Sequence, residues 1–129
     1  MIHYLDTSAA LKLLVDEPES VALATFLDAA GEGDALVSSM LLYTELHCAG
    51  QRRSALRPAS VTAVLEATHL VDVTRADLER AATSAWGLRS ADAIHLAAAL
   101  RIGVDCLITY DRELAGAAER VGLRVLSPA

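Results

Sequence analysis

Short apolar runs alternate with helix-like segments along the whole chain, and this alternation limits the possible folds more than any other feature. The predicted strands cover residues 2–5, 35–37, 69–73, 105–109 and 124–126. The predicted helices cover residues 7–15, 18–31, 40–53, 58–68, 77–86, 90–103 and 112–121. Apolar strands separated by helices are typical of a mainly parallel sheet covered on both faces. We therefore predict a single three-layer α/β/α domain, residues 1–129, with a four- or five-stranded mainly parallel sheet.

Composition narrows the class of protein. The chain has 129 residues, of which 53% are hydrophobic and 4% aromatic, so we expect an aliphatic core. The net charge of −6 argues against a simple nucleic-acid-binding module, because contacts with the phosphate backbone need cations. A nuclease remains compatible with this charge, because a bound metal ion supplies positive charge locally.

The cysteines and the N-terminal segment indicate the compartment. Cys48 and Cys106 each lie in an apolar run and form no CxxC pair, which predicts two buried reduced thiols and no zinc site. The first apolar stretch contains Asp6 and Lys12 and has no basic leader, so we expect neither a signal peptide nor a membrane span. Both features favour a cytoplasmic protein.

Two aspartates follow predicted strands closely. Asp6 comes directly after residues 2–5, and Asp111 comes after residues 106–108, Thr109 and Tyr110. Sites in open parallel sheets lie beyond the carboxyl ends of the strands, so both side chains belong to one edge. Each could equally be an ordinary helix N-cap, because aspartate is favoured at that position.

Two further acids lie on otherwise apolar helices. Glu45 follows Leu41 by one helical turn and is next to Leu46, which points it inward or to the margin of the core. Asp92 is the only acid in the first turn of a helix rich in Ala and Leu. The alternatives are a solvated Glu45 and an Asp92 that only completes the helix cap and complements the helix dipole.

Four carboxylates in one pocket would repel one another, since two unit charges about 4 Å apart cost roughly 4 kcal/mol at an effective dielectric near 20. A divalent cation removes that repulsion, and oxygen ligands select Mg²⁺ or Mn²⁺ over zinc. Such an ion can polarise a phosphodiester and lower the pKa of the attacking water. The acids therefore predict a Mg²⁺ or Mn²⁺ site suited to phosphate-ester chemistry.

Four fragments resemble the PIN-domain nucleases, and in particular the VapC ribonuclease toxins of bacterial toxin–antitoxin pairs. They are Leu5-Asp6-Thr7-Ser8-Ala9-Ala10-Leu11, Thr44-Glu45-Leu46, Ser90-Ala91-Asp92-Ala93-Ile94-His95-Leu96-Ala97 and Ile108-Thr109-Tyr110-Asp111. The resemblance covers essentially the whole chain. It implies a PIN-like fold and a Mg²⁺- or Mn²⁺-dependent endoribonuclease that acts on structured RNA such as tRNA or rRNA. It also implies a VapB-like antitoxin partner and a homodimer within a toxin–antitoxin complex.

The resemblance also assigns site residues. The acidic quartet corresponds to Asp6, Glu45, Asp92 and Asp111. The hydroxyl groups that support the quartet correspond to Thr7, Ser8 and Thr109. We expect Asp6 and Asp92 to be the principal metal ligands. Glu45 and Asp111 would bind through water, hold a second ion or orient the attacking water.

Weaker candidates surround the quartet in sequence. His95, one turn after Asp92, could hold a carboxylate or shuttle a proton, although helix packing is the simpler interpretation. Arg89 and Arg112 could grip RNA phosphate or be solvated surface residues. Trp86 could stack a base or pack at a core edge. Residues 21–27 and 41–43 are candidate surfaces for an amphipathic antitoxin helix.

Two other classes of protein compete with the nuclease. A phosphatase-like Mg²⁺-binding domain would place a second acid close to the first, whereas Asp6 is followed by Thr7, Ser8 and Ala9. A non-catalytic binding module would use the acids only as helix caps.

Overall fold

The computed structural model describes residues 1–129 and contains five strands and seven helices. The strands are β1 (Ile2–Leu5), β2 (Ala35–Ser39), β3 (His69–Val71), β4 (Cys106–Ile108) and β5 (Arg124–Leu126). The helices are α1 (Thr7–Leu14), α2 (Ser20–Asp28), α3 (Met40–Arg52), α4 (Pro58–Glu66), α5 (Arg75–Thr83), α6 (Ser90–Ile102) and α7 (Arg112–Arg120). The predicted alternation of strands and helices is confirmed. No helix is both long and apolar enough to cross a membrane.

All five strands are parallel and lie in the order β3-β2-β1-β4-β5. The chain runs from β1 outward to β3 and then returns to the other side of β1 as β4 and β5. The direction of winding therefore reverses between β1 and β4. In open α/β sheets the crevice outside the carboxyl ends of two such strands is the usual position of a functional site.

Alternate side chains of the central strands enter two separate cores, because successive strand residues point to opposite faces. On one face Tyr4 and Leu107 pack in a cluster with residues of α6 and α7. On the other face Leu5 and Ile108 pack in a cluster with residues of α1 to α4. Helices thus cover both faces of the sheet, which confirms the predicted three-layer α/β/α architecture.

A reciprocal capping box moves the start of α5 two residues before its predicted position. The Asp77 N–H donates to Thr74 Oγ1 at 3.1 Å, and the Thr74 N–H donates to Asp77 Oδ2 at 3.0 Å. These bonds satisfy two backbone donors at the helix N-terminus. The helix also ends earlier than predicted, so Trp86 lies outside it.

Three other details differ from the prediction. Serine is favoured at helix N-caps, which predicts Ser90 at that position of α6, but the N-cap is Arg89 and its side chain forms no capping bond. The helix α2 begins at Ser20, after a turn that contains Pro18. Cys106 is buried as predicted, but Cys48 is exposed, because it lies off the buried stripe of α3, which consists of Leu42, Leu46 and Ala49.

Arg101 joins α6 to the start of α5. Its Nε donates to Asp77 Oδ1 at 2.8 Å, and its Nη2 donates to Asp77 Oδ2 at 3.0 Å. Burial opposes the ionisation of Asp77, but the hydrogen bonds from Arg101 and Thr74 outweigh it and lower the pKa of this carboxyl. The pair fixes α5 against the helix that carries Asp92.

We expect Asp77→Asn to lower the free energy of unfolding by about 2 kcal/mol at pH 7, because it removes charged hydrogen bonds and weakens the capping box. The folded pKa is depressed, so this contribution is present above the ordinary aspartate pKa of about 3.9 and is lost as the pH falls further. Urea denaturation at pH 7 and pH 3 measures both effects. Asp72→Asn, an exposed change nearby, is the control, and equal midpoints for both variants at pH 7 would contradict this role.

Candidate active site

Asp6 lies at the carboxyl end of β1, is only 1% exposed and forms the N-cap of α1. Its Oδ1 accepts from the Ala9 N–H at 2.9 Å, and its Oδ2 accepts from the Thr109 hydroxyl at 2.5 Å. The Ser8 hydroxyl lies within 2.9 Å of both carboxylate oxygens. Burial raises the pKa of Asp6, and the bonds from Thr109, Ala9 and Ser8 oppose that rise. Ser8 and Thr109 therefore hold the carboxylate in one orientation.

Thr109 connects Asp6 to Asp111. Its Oγ1 donates to Asp6 and also accepts from the Asp111 N–H at 3.0 Å. Asp111 is the N-cap of α7, and its Oδ1 accepts from the Leu114 N–H at 2.9 Å. Both aspartates are thus also helix N-caps. Capping leaves Asp111 Oδ2 without a hydrogen bond from the chain.

Asp92 is half-buried in the first turn of α6 and makes no hydrogen bond or ion pair with the chain. Burial, followed by the charges of Asp111 and Asp6, raises its pKa to about 6. The cap alternative fails for Asp92, because its carboxylate contacts no backbone N–H. A helix dipole alone would favour the ionised form and would not raise the pKa. The shift reflects three carboxyl groups that share one edge of the sheet.

Glu45 approaches the same edge from α3, with 28% of its side chain exposed. Its Oε1 accepts from the Thr7 hydroxyl at 2.5 Å and lies 2.7 Å from His95 Nε2. Burial opposes the ionisation of Glu45, but the hydrogen bonds from His95 and Thr7 outweigh it and lower its pKa. Glu45 is therefore fixed by hydrogen bonds from Thr7 and His95 and is not a solvated surface residue. The structure brings the whole predicted quartet and its three supporting hydroxyls to one edge.

Sequence reasoning missed two residues behind the site. The Tyr4 hydroxyl lies 2.7 Å from His95 Nδ1 and 3.0 Å from Ser39 Oγ. Only their positions in the sequence could have indicated these residues. Tyr4 lies inside an apolar strand two residues before Asp6, and Ser39 directly precedes α3. His95 packs inside the protein as its simpler interpretation predicted, and it also holds Glu45.

The remaining candidates lie around the site or away from it. Arg89 precedes α6 and Arg112 begins α7, and both side chains are exposed and form no ion pair. Trp86 packs at the edge of the core on the α6 face, with the Arg80 guanidinium 5.9 Å from its ring centroid. This position agrees with core-edge packing for Trp86.

The donor chemistry of this edge fits a hard divalent cation. All four acids offer carboxylate oxygens, and their crowding raises the pKa of Asp92. No group of three acidic, histidine or cysteine side chains is arranged to hold a metal ion through protein atoms alone. Mg²⁺ usually takes one or two carboxylates and completes its shell with water and phosphate oxygens.

A large apolar cavity of about 790 Å³ lies away from the four acids. It is bounded by the beginnings of β1 and β2, by β5 and by α2 and α4. Its apolar lining includes Phe26, Leu27, Leu36, Val64 and Leu126. The cavity and the acidic edge are therefore separate surfaces.

We expect Thr109→Val to lower the free energy of unfolding by about 2 kcal/mol, because it leaves the buried Asp6 carboxylate and the Asp111 N–H without their shared partner. Guanidinium chloride denaturation measures the loss. Thr68→Val is the matched control, since the buried Thr68 hydroxyl, just after α4, donates only to the Val64 carbonyl of that helix. A loss no larger than that of the control would contradict this prediction.

The comparisons with known proteins agree with this architecture. The family model of the PIN domain matches residues 3–120. The chain is 40% identical to Ribonuclease VapC46 of Mycobacterium tuberculosis over 133 aligned positions, which cover 97% of this chain and 96% of that protein. VapBC-1 from nontypeable Haemophilus influenzae superposes with a TM-score of 0.73 at 19% identity, over 98% of each chain. Mycobacterium tuberculosis VapC20, described as a Sarcin-Ricin loop cleaving toxin, superposes with a TM-score of 0.73 at 14% identity, over 98% of this chain and 99% of its own. The chain therefore belongs to the PIN-domain family, as a relative of the VapC ribonucleases.

Proposed function

We propose that this chain is the toxin of a toxin–antitoxin pair and acts as a Mg²⁺-dependent endoribonuclease, with Mn²⁺ able to substitute. The observation that carries the proposal is the meeting of Asp6, Asp92 and Asp111 beyond β1 and β4, with Glu45 held beside them. The name of the relative, Ribonuclease VapC46, supports RNA as the substrate. Residues 1–129 act as one nuclease domain in the cytoplasm.

The contacts of the four acids indicate which of them bind the metal directly and which orient water. Asp6 is oriented by its hydroxyl and amide donors, and Asp92 has no partner in the chain, so these two are the principal metal ligands. Asp111 and Glu45 each keep one oxygen free of hydrogen bonds from the chain and orient water or support a second ion. Bound there, Mg²⁺ would polarise the phosphodiester and lower the pKa of the attacking water.

The proposed substrate is structured RNA such as tRNA or rRNA. A protein with a net charge of −6 repels RNA, so cations near the cleavage site are required. Arg89 and Arg112 are exposed and free of ion pairs at the N-termini of the helices beside the acids, which suits them to bind phosphate. Sequencing the 5′ ends of cellular RNA after induction would identify the target and the cut site.

Neither rival class accounts for the arrangement of all four acids. A phosphatase-like domain would bring a second acid from the loop after β1, whereas here the acids come from four separate elements. A non-catalytic module accounts for the caps formed by Asp6 and Asp111, but it gives no reason for the crowding of Asp92.

We expect Asp6→Asn and Asp92→Asn each to reduce Mg²⁺-dependent RNA cleavage by more than about 100-fold, the typical cost of removing one group that stabilises charge in the transition state. The assay is cleavage of total RNA by purified protein, with EDTA expected to abolish the activity of the wild type. Calorimetric titration with Mn²⁺ should show binding by the wild type and weaker binding by Asp6→Asn. Asp28→Asn, on α2, should keep full activity. Full activity in the Asp6 and Asp92 variants would refute the assignment.

The antitoxin is proposed to occupy the cavity between α2 and α4. Phe26 and Leu27 of the predicted antitoxin surface line this cavity, and its apolar walls suit the apolar face of a partner helix. The second predicted stretch is not a continuous surface, since Leu42 is fully buried and Tyr43 is exposed. Two toxin chains would pair as a homodimer within the complex, a stoichiometry that light scattering measures.

We expect Ala63→Asp to weaken binding of the antitoxin encoded beside this gene by at least about tenfold, equivalent to 1.4 kcal/mol, because it puts a charge into an apolar interface. Ala63 is exposed on α4 and lines the cavity, so the chain itself tolerates the change. Ala76→Asp, exposed on α5 in the opposite layer, is the matched control. Calorimetry with purified antitoxin measures both, and equal affinities would contradict this docking site.

A further inference from the structure

The imidazole of His95 is almost fully buried in a helix whose neighbouring residues are apolar. It is 1% exposed, and Ala93, Leu96 and Ala97 around it are buried as well. A buried polar ring is costly unless both nitrogens have partners. Here both have them, at 2.7 Å to Glu45 Oε1 and at 2.7 Å to the Tyr4 hydroxyl.

The direction of the bond to Glu45 follows from the chemistry of the carboxylate. An ionised carboxylate only accepts hydrogen bonds, so His95 Nε2 carries a proton and donates it to Glu45 Oε1. The Tyr4 hydroxyl both donates and accepts, so it can satisfy Nδ1 in either protonation state of the ring.

The network ties together the elements that carry the acids. Tyr4 belongs to β1 and precedes Asp6, His95 follows Asp92 by one turn of α6, and Ser39 ends the strand that leads into α3. Thr7, at the start of α1, donates to the same Glu45 oxygen that faces His95. Both donors therefore use Oε1, and Oε2 remains without a hydrogen bond from the chain.

We infer that His95, which is itself fixed by the Tyr4–Ser39 contact, is a positioning residue. It holds Oε1 of Glu45 and leaves Oε2 facing the reacting atoms. This inference rests on the proposed nuclease function. Partners that orient ligands or reacting groups in this way typically contribute about 10- to 100-fold to activity or metal affinity. A histidine that only packs would contribute to stability alone.

Kinetics of RNA cleavage separate positioning from packing. We expect His95→Leu to reduce kcat by about 10- to 100-fold with little change in KM. His95→Gln keeps a donor and an acceptor and should restore most of the lost kcat. Val104→Ala, in the same core but beyond the opposite end of α6, should lower the melting temperature and leave kcat unchanged. Unchanged kcat in His95→Leu, or no recovery in His95→Gln at equal folded fraction, would overturn the inference.

A measurement on the protein without substrate tests the contact independently of activity. Long-range ¹⁵N NMR should place a slowly exchanging proton on His95 Nε2 in the wild type, and Glu45→Ala, which leaves only the 3.1 Å contact with Thr7 Oγ1, should speed that exchange. A wild type without this proton would refute the inference even if it cleaves RNA. A wild type that keeps it but cleaves no RNA under any metal condition would refute the proposed function instead.

Discussion

The buried carboxylate of Asp6 determines how the residues around the sheet edge must be arranged. An ionised group taken out of water costs several kcal/mol even after relaxation, unless hydrogen bonds replace its hydration. Its donors come from the first turn of α1 and from Thr109, which follows β4. The parallel register pairs Leu5 with Ile108, and this pairing places Asp6 and Thr109 side by side. The pairing of β1 with β4 is therefore a condition for a stable Asp6.

At this edge of the sheet, the pKa values of Glu45 and Asp92 are shifted in opposite directions. The pKa of Glu45 is lowered by the donors that face it, whereas the pKa of Asp92 is raised to about 6 by burial and by its acidic neighbours. Carboxyl groups whose environments separate their pKa values in this way are typical of sites that assign them separate tasks. Two side-chain donors, His95 and Thr7, outweigh the burial of Glu45, whereas Asp92 has no donor to offset its burial and the charges of Asp111 and Asp6.

Much of this arrangement could be predicted from sequence, because it depends on local pattern. The apolar runs located every strand, and the rule that sites follow the carboxyl ends of parallel strands placed Asp6 and Asp111 correctly. The start of α5 was also readable in principle, since Thr74 and Asp77 have the spacing of a capping box. The exposure of Cys48 was harder, because it depends on which stripe of α3 faces the sheet.

The network behind Glu45 could not be predicted in the same way. Tyr4 and His95 are 91 residues apart in sequence, and no spacing rule connects a strand tyrosine with a helix histidine at that distance. Tyr4 resembled an ordinary core aromatic, and the apolar neighbours of His95 favoured simple packing. Only the three-dimensional crossing of β1 and α6 brings their polar atoms together.

The separation of the apolar cavity from the acidic edge has an evolutionary consequence. The cavity lies near the beginnings of β1 and β2 and the acids lie beyond the strand ends, so the two surfaces share no residue. With the antitoxin in the cavity, as proposed, duplicated copies of such a gene could diverge in the antitoxins they bind while the residues of the acidic edge stay the same. A genome can in this way hold many related chains that share one reaction and do not exchange partners.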